Sequence, residues 1–398
     1  MQTGHVPSMQ GAHFESSGAG GDTSRRDDDR VGSDDERRIS DERRILAAID
    51  LARHFVADAA AADAARGWSD RRRQRRLAAL VEHPTAADFT VRLTDEVSRL
   101  PIAARAARRF STVVHEADLN GFPRPDRIML RLGAAVAPRF PRLVMPLVQR
   151  RLRSEAGGVI LPADDPGLGS HLAARAAEGV GCNVNVLGEA IVGEGEAARR
   201  LEMVIERLRR PDVDYVSVKI SAVCASIDPL AFDDTVERVI DRLRPLYRVA
   251  ASYRPAKFVN LDMEEYRDLA LTVAAFRRLL DEDEFGHLDA GIVLQAYLPD
   301  AQAAAEELAA WATERHRRTG VRVKIRIVKG ANLAMEHAAA ELAGWEPATF
   351  PTKHEVDANY KAVLDLLCSQ RFDDAIRIGV ASHNLFDVAW AIGIARDH

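Results

Sequence analysis

The spacing of apolar and polar positions divides the chain into two regions of different texture. Between residues 41 and 150, apolar residues recur three and four apart, which places them on one face of an α-helix. After Gly157, short β-rich runs alternate with amphipathic helices, and the strand starts recur at about the length of a βα unit. This pattern predicts an all-helical N-terminal region followed by an α/β region, a parallel sheet or barrel with helices outside it.

Six strands are predicted in the second region, and each ends on polar residues. The predicted strands span residues 183–190, 214–222, 257–265, 291–298, 323–331 and 376–384. In a (β/α)₈ barrel the carboxyl ends of the strands converge on one face, where the chemistry takes place. A doubly wound sheet gathers fewer strands at its switch point, and its usual G-x-G-x-x-G turn is absent from this sequence. We therefore predict a (β/α)₈-type (TIM-like) barrel.

The barrel is predicted to be incomplete at the C-terminus. Six βα units are recognisable, residues 158–162 add a seventh strand at most, and few residues follow Asn384. Two more units would need roughly 60 to 90 residues, so the chain is predicted to be a piece of a longer protein. The predicted domains are a disordered charged tail at 1–40, poor in apolar residues, a helical arm at 41–150 and a partial barrel at 151–398.

Composition narrows the class of protein. The net charge of −5, and basic runs without interleaved aromatic residues, argue against a nucleic-acid partner. The three cysteines are widely spaced and form no metal-binding pattern, which is typical of a reduced, cytoplasmic protein. No run approaches the roughly 18 consecutive apolar residues of a membrane helix. Only six of the 55 cationic residues are lysines, so each lysine on an apolar strand is informative.

One predicted strand carries cations on one face and β-branched residues on the other. In residues 321–330, Lys324 and Arg326 share a face, and Lys329 and Gly330 follow at the strand end. Gly330 would let backbone N–H groups approach a ligand, and a helix N-terminus follows it. The strand end is therefore a candidate anion site, and the alternative is a solvated barrel rim.

Lys219 is a second candidate, because it lies inside the apolar run VSVKISA. Its side chain should point into the barrel mouth or pair with an acid, for which Asp262 is the natural partner. An anion site, a Schiff-base lysine and a structural ion pair all remain open. The other polar groups of the predicted mouth are Gln295, Thr352, Lys353, His383 and Asn384. The set indicates an anionic, phosphate-bearing ligand, and it does not distinguish a flavin from a phosphorylated substrate.

Seven motifs resemble those of the proline dehydrogenase family, specifically the barrel of bacterial bifunctional proline utilisation flavoenzymes. The motifs are VLGEA, VSVKISA, NLDMEE, VLQAY, RIVKGAN, PTKHEVDANY and ASHN, which occur in the family's order between residues 183 and 384. The resemblance implies a distorted (β/α)₈ barrel that binds FAD. It also implies oxidation of L-proline to 1-pyrroline-5-carboxylate, the first step of proline catabolism to glutamate.

The resemblance implies roles for individual residues by matching position. Lys219 would contact the proline carboxylate, Asp262 would organise the substrate side, and Arg326 would stabilise negative charge on the reduced flavin. The residues implied to hold the FAD are Gln295, Arg326, Lys329, Gly330, Ala331, Thr352, Lys353, His383 and Asn384. In two respects the chain departs from the family. Asn332 stands where many members have Tyr, and the Arg-Arg pair that clamps the substrate carboxylate is expected beyond His398, so this chain alone is expected to be inactive.

The resemblance also implies partners. They are L-proline, a quinone electron acceptor at the membrane surface, and a C-terminal aldehyde dehydrogenase domain that this sequence lacks. The expected location is cytoplasmic, with peripheral contact at the inner face of the membrane. Two other hypotheses stay open: a barrel lyase that forms a Schiff base through Lys219 or Lys329, and a non-catalytic remnant that acts through its helical arm.

Overall fold

Six parallel strands alternate with helices and pair in chain order, from β1 to β6. The computed structural model describes residues 24–65, 67, 84–98, 100–120, 122–156, 167–186, 191, 193–372 and 374–397. The strands are β1 Val184–Asn185, β2 Tyr215–Lys219, β3 Phe258–Asp262, β4 Ala290–Gln295, β5 Val323–Val328 and β6 Ile376–Val380. The prediction of six parallel strands is confirmed. The seventh strand considered at residues 158–162, and residues 187–190 of the first, lie outside the described ranges.

The described α-helices flank this sheet and precede it. They are α1 Ser24–Ala65, α2 Pro84–Arg92, α3 Ala103–Glu116, α4 Arg124–Val136, α5 Pro141–Ala156, α6 Gly167–Ala177, α7 Glu194–Arg209, α8 Ile220–Val223, α9 Phe232–Ala251, α10 Leu269–Leu280, α11 Ala301–Thr319, α12 Leu333–Ala343, α13 Lys353–Leu367 and α14 Leu385–Asp397. A π-helical segment, Leu93–Ser98, continues α2. Within the described part of the chain, no helix combines the length and the apolar content needed to cross a membrane.

The sheet is strongly curved, because side chains of strands that are not neighbours meet on its concave face. Lys324 Nζ on β5 lies 3.5 Å from the Tyr215 hydroxyl on β2. Arg326 Nη2, also on β5, lies 2.7 Å from Asp262 Oδ1 on β3. The opposite face of β5 is fully buried and consists of Val323, Ile325 and Ile327. The apolar face of β5 is therefore the outer one, and its cations line the interior of a barrel wall.

The apolar side chains form two separate cores. The larger core joins the strands to helices α6 to α11, α13 and α14, and the smaller one joins α2 to α5 around residues such as Phe110. Ala48 of α1 belongs to the larger core, and Arg44 of α1 contacts Asp397 and the Trp390 ring of α14. The described part of residues 41–150 is largely helical. The first helix of the predicted helical arm packs on the barrel, because its apolar stripe meets α14.

The predicted disordered tail needs a correction in its second half. Helix α1 begins at Ser24, so residues 24–40 are helical. In the sequence, this segment places Arg three and four residues from Asp and Glu, a spacing that supports a helix. A helix already nucleated by the packed part of α1 extends through such a segment at low cost. Residues 1–23 lie outside the described ranges.

Candidate active site

A partly buried ion pair lies where β3 and β5 end. Arg326 Nη2 donates to Asp262 Oδ1 at 2.7 Å, and the two side chains are 22% and 12% exposed. Asn260 Nδ2 donates to the same oxygen at 2.7 Å, and Asn185 Nδ2 donates to Oδ2 at 3.4 Å. Burial raises the pKa of Asp262, and the positive charge of Arg326 opposes this only in part. The structure thus brings two of the three predicted catalytic residues into direct contact.

Lys219 ends β2, and its ammonium pairs with Glu264 rather than with Asp262. Ser221 Oγ lies 3.4 Å from the second carboxylate oxygen of Glu264. The sequence favoured Asp262 as the partner, and Lys219 and Asp262 are indeed register neighbours. The prediction is wrong because Asp262 pairs with Arg326 on the concave face. Lys219 pairs instead with Glu264, which lies in the loop after β3. Glu264 is not among the site residues that the sequence predicted.

Gln295 ends β4, is buried, and joins two loops of the mouth. Its Nε2 donates to the Glu264 carbonyl at 2.8 Å, and its Oε1 accepts from the Ala331 N–H at 3.2 Å. The Tyr297 hydroxyl and Asn332 Nδ2 donate to the same Glu264 carbonyl at 3.4 Å and 3.3 Å. Three side-chain donors therefore fix the peptide that carries Glu264. The aromatic residue missing at Asn332 is replaced by an amide that serves this purpose.

Position 330 requires a glycine because of its backbone conformation and the nearby Tyr297 ring. Its φ is +143°, and a Cβ at this position would lie 2.4 Å from the Tyr297 ring. The Tyr297 N–H also donates to the Lys329 carbonyl at 2.6 Å, which holds the loop against the ring. Any other residue would collide with Tyr297 in a backbone region that favours glycine. The helix expected after this loop is confirmed and begins at Leu333.

Lys329 belongs to a network of lysines and aspartates at the ends of β5, α13 and α14. Its ammonium contacts Asp357 and lies 2.7 Å from Asp387 Oδ2. Lys361 lies 3.0 Å from Asp387, and Lys353 lies 2.5 Å from Asp357. Burial by itself lowers the pKa of Lys329, but hydrogen bonds to the two aspartates outweigh it and raise the pKa overall. A firmly protonated ammonium is a poor Schiff-base nucleophile, which weakens the lyase hypothesis for Lys329.

Sequence reasoning missed Asp387. This residue is fully buried in α14, and its carboxylate receives Lys329, Lys361 and the Ser382 hydroxyl. Burial alone would raise its pKa, but these hydrogen bonds lower it. The available signal was a lone acid inside the apolar run LFDVAWAIGI.

The remaining predicted cofactor residues lie at the start of two helices. Thr352 caps α13 in a capping box, in which the Glu355 N–H donates to Thr352 Oγ1 at 3.3 Å. Lys353 follows it and is 73% exposed. Asn384 Oδ1 accepts at 2.9 Å from the backbone N–H two residues further on, at the start of α14, and His383 beside it is exposed. Each helix start carries the positive end of a helix dipole.

The comparison with protein families identifies the family to which these motifs belong. The model of the proline dehydrogenase family matches residues 169–398, more than half of the chain. The chain belongs to the proline dehydrogenase family. The comparison with curated proteins finds no match.

Solved structures of Proline Utilization A (PutA) proteins carry the same fold. PutA from Corynebacterium freiburgense is 47% identical over 63% of this chain, with a TM-score of 0.60. PutA from Bdellovibrio bacteriovorus, inactivated by N-propargylglycine, is 26% identical over 80% of this chain, with a TM-score of 0.63. A Bradyrhizobium japonicum PutA mutant, 20% identical with a TM-score of 0.52, agrees in fold. The chain spans 26%, 32% and 38% of these proteins, respectively.

Within the proline dehydrogenase fold, the two ion pairs occupy the face on which a barrel carries its chemistry. Lys219, Asp262 and Arg326 all lie at or near the carboxyl ends of parallel strands. The six described strands form part of the proline dehydrogenase barrel, with β1 and β6 at the edges of the described sheet.

Proposed function

We propose that this chain is the flavin-binding part of an enzyme that oxidises L-proline to 1-pyrroline-5-carboxylate. The observation that carries the proposal is the partly buried Arg326–Asp262 pair, beside which Lys219 ends the neighbouring strand. One delocalised cation and one ammonium on the same face suit an electron-rich ring and a substrate carboxylate. Membership of the proline dehydrogenase family supports the assignment.

The residues present fit an FAD. Arg326 Nε is buried and has no hydrogen-bond partner in the part of the chain that the structure describes, so it offers a donor to a bound group. The N-terminus of α13, with Thr352 and the exposed Lys353, is suited to a phosphate. The other residues expected to border the cofactor are Gln295, Lys329, Gly330, Ala331, His383 and Asn384. When bound, FAD supplies the acceptor for the hydride that leaves the substrate.

The chain's own groups bind and orient the substrate. Oxidation removes a hydride from a ring carbon and a proton from the nitrogen of proline, which leaves a C=N bond. Lys219 holds the carboxylate through a charge-assisted hydrogen bond. Arg326 places positive charge where negative charge develops, and Asp262 fixes the guanidinium in that position.

The inhibitor in the Bdellovibrio structure provides a second line of support. N-propargylglycine carries a secondary amine and an α-carboxylate, the same two groups that proline presents. Lys219 would hold the carboxylate of either molecule. We expect N-propargylglycine to inactivate this protein over time, and L-proline to protect it.

The test is the visible absorption spectrum of the full product of the parent gene, before and after anaerobic addition of L-proline. A yellow protein that bleaches with L-proline supports the proposal. Arg326→Met should lose flavin or be reduced more slowly, whereas Arg322→Met should behave as the wild type. Arg322 lies just before the same strand and its Nε donates to the Asp374 carbonyl at 3.0 Å, away from the site. A yellow protein that L-proline does not bleach would overturn the assignment of L-proline as substrate. A colourless protein would overturn the assignment of a flavin cofactor.

The electron acceptor and the location belong to the same proposal. We expect a quinone to reoxidise the reduced protein, a cytoplasmic location with peripheral membrane contact, and an aldehyde dehydrogenase domain in the same polypeptide. The rate of reoxidation by a soluble quinone tests the acceptor, and its dependence on added lipid vesicles tests the membrane contact. Equal rates with oxygen and with the quinone would contradict the quinone assignment.

A further inference from the structure

The mouth of the barrel contains a carboxylate that belongs to the protein and lies where a substrate carboxylate is expected. Glu264 contacts the Lys219 ammonium through one oxygen, and Ser221 Oγ lies 3.4 Å from the other. Each oxygen of Glu264 therefore has one donor, as the two oxygens of a bound amino acid would. The Lys219 and Glu264 side chains are 19% and 30% exposed, so this pair is open to solvent at the mouth.

The backbone of Glu264 is held by three hydrogen bonds, whereas its side chain is partly exposed. Gln295, Tyr297 and Asn332 all donate to its carbonyl, at 2.8 Å, 3.4 Å and 3.3 Å. These bonds hold the peptide while the partly exposed carboxylate can rotate away from Lys219. A partly exposed ion pair of this kind is weak enough for a ligand to displace.

Asp262 does not compete for Lys219, because it has other partners. Its Oδ1 accepts from both Arg326 and Asn260 at 2.7 Å, and its side chain is 12% exposed. Asp262 and Glu264, two of the three acids of the NLDMEE segment, therefore have different roles. Asp262 holds the guanidinium, and Glu264 holds the ammonium.

We propose that Glu264 is a positioning and specificity residue that occupies the anion position beside Lys219 until a ligand's carboxylate displaces it. The inference rests on the proposed function, since it takes the ligand to be a small α-carboxylate. Glu264 keeps the Lys219 ammonium directed into the mouth, and its charge repels anions that do not replace it. The affinity for a carboxylate is consequently lower than Lys219 alone would give.

The experiment measures equilibrium binding of cyclopentanecarboxylate to the flavin-loaded protein. This molecule keeps the ring size and the carboxylate of proline, but a carbon replaces the nitrogen, so it forms no imine and presents no ammonium. Glu264→Gln should bind it about tenfold more tightly than the wild type, because the competing charge is gone. The matched control is Glu265→Gln, which removes the neighbouring charge that pairs with Arg267 at 2.7 Å, and its affinity should change less than about twofold.

Two further variants separate this role from a structural one. Lys219→Met combined with Glu264→Gln should lose the gain in affinity, because the gain acts through the ammonium. If Glu264→Gln lowers the melting temperature, Glu264→Asp is used in its place. Its side chain is one methylene shorter and competes less well for Lys219, so this variant should also bind cyclopentanecarboxylate more tightly than the wild type. In turnover, Glu264→Gln should lower the KM for L-proline and leave kcat unchanged.

An unchanged or weaker affinity of the Glu264 variants for cyclopentanecarboxylate would overturn the proposal. So would a raised KM for L-proline alone, since Glu264 would then be binding the substrate nitrogen. The outcome is separable from the proposed function. If the wild type binds the carboxylate but L-proline does not bleach its flavin, the function fails, and the ratio of variant to wild-type affinity still decides the role of Glu264. If no form binds it, the role of Glu264 fails whatever L-proline does.

Discussion

Removal of Arg326 should destabilise the fold, because Arg326 pairs with Asp262. The size of the loss depends on how buried the pair is and on which hydrogen bonds Asp262 keeps. Loss of one partner from a buried ion pair typically costs about 3 to 5 kcal/mol, because the other charge is left buried. Here Arg326 is 22% exposed, and Asp262 keeps the hydrogen bond from Asn260 at 2.7 Å. We therefore expect Arg326→Met to lower the free energy of unfolding by about 2 to 3 kcal/mol.

The loss should depend on pH in a defined direction. Burial already raises the pKa of Asp262, and removal of Arg326 takes away the largest of the interactions that lower this pKa. A carboxyl group whose pKa is raised on folding destabilises the folded state above that pKa, and the loss shrinks as the pH falls through it. The cost of Arg326→Met should therefore be larger at about pH 8 than at an acidic pH at which Asp262 is protonated.

A double-mutant cycle isolates the pair. Arg326→Met combined with Asp262→Asn leaves no unpaired charge, so it should be more stable than Arg326→Met alone. Urea unfolding followed by tryptophan fluorescence measures this, because Trp311 and Trp390 both lie in the larger core. A cost below about 0.5 kcal/mol for the single variant, or additive costs in the double variant, would refute the reasoning.

Three further predictions concern a glycine, a buried acid and the candidate substrate lysine. Gly330→Ala should lower the free energy of unfolding by about 2 to 4 kcal/mol, because its Cβ would lie 2.4 Å from the Tyr297 ring. The control Gly320→Ala, with open space around the new Cβ, should cost about 1 kcal/mol. Burial raises the pKa of Asp268 to about 6, so wild-type stability should fall as the pH rises through that value. Asp268→Asn should therefore be more stable than the wild type at about pH 8, by up to about 2 kcal/mol, and similar to it at about pH 4, as measured by urea midpoints. Lys219→Ala should raise the KM for L-proline about tenfold or more and leave the flavin content unchanged, as measured by steady-state kinetics and absorbance.

Each of these has a contrary outcome. Equal melting temperatures for the Gly330 and Gly320 variants would remove the collision argument. A pH profile of stability that is the same with and without Asp268 would assign the titration to another group. A loss of flavin in Lys219→Ala at unchanged KM would place this lysine beside the cofactor.

The strands, and the polar residues at their carboxyl ends, could be predicted from the sequence because the patterns that indicate them involve only neighbouring positions. The two-residue alternation around Lys324 and Arg326 requires only neighbouring positions, and it correctly separated the cationic face of β5 from its apolar face. The polar residues at the strand ends, such as Lys219 and Gln295, predicted the functional face for the same reason. The seven motifs in order then indicated the proline dehydrogenase family, which the family model confirms.

The pairing of charges was decided by tertiary structure. Asp262 and Lys219 are register neighbours, yet curvature turns Asp262 toward Arg326, 64 residues away in the chain, and gives Lys219 to Glu264. The same is true of Asp387, whose lysine partners come from other elements. A period of apolar residues specifies which face a side chain occupies. The choice of partner across a curved interior depends on distances that no local pattern encodes, so only the folded chain determines which acid meets which cation.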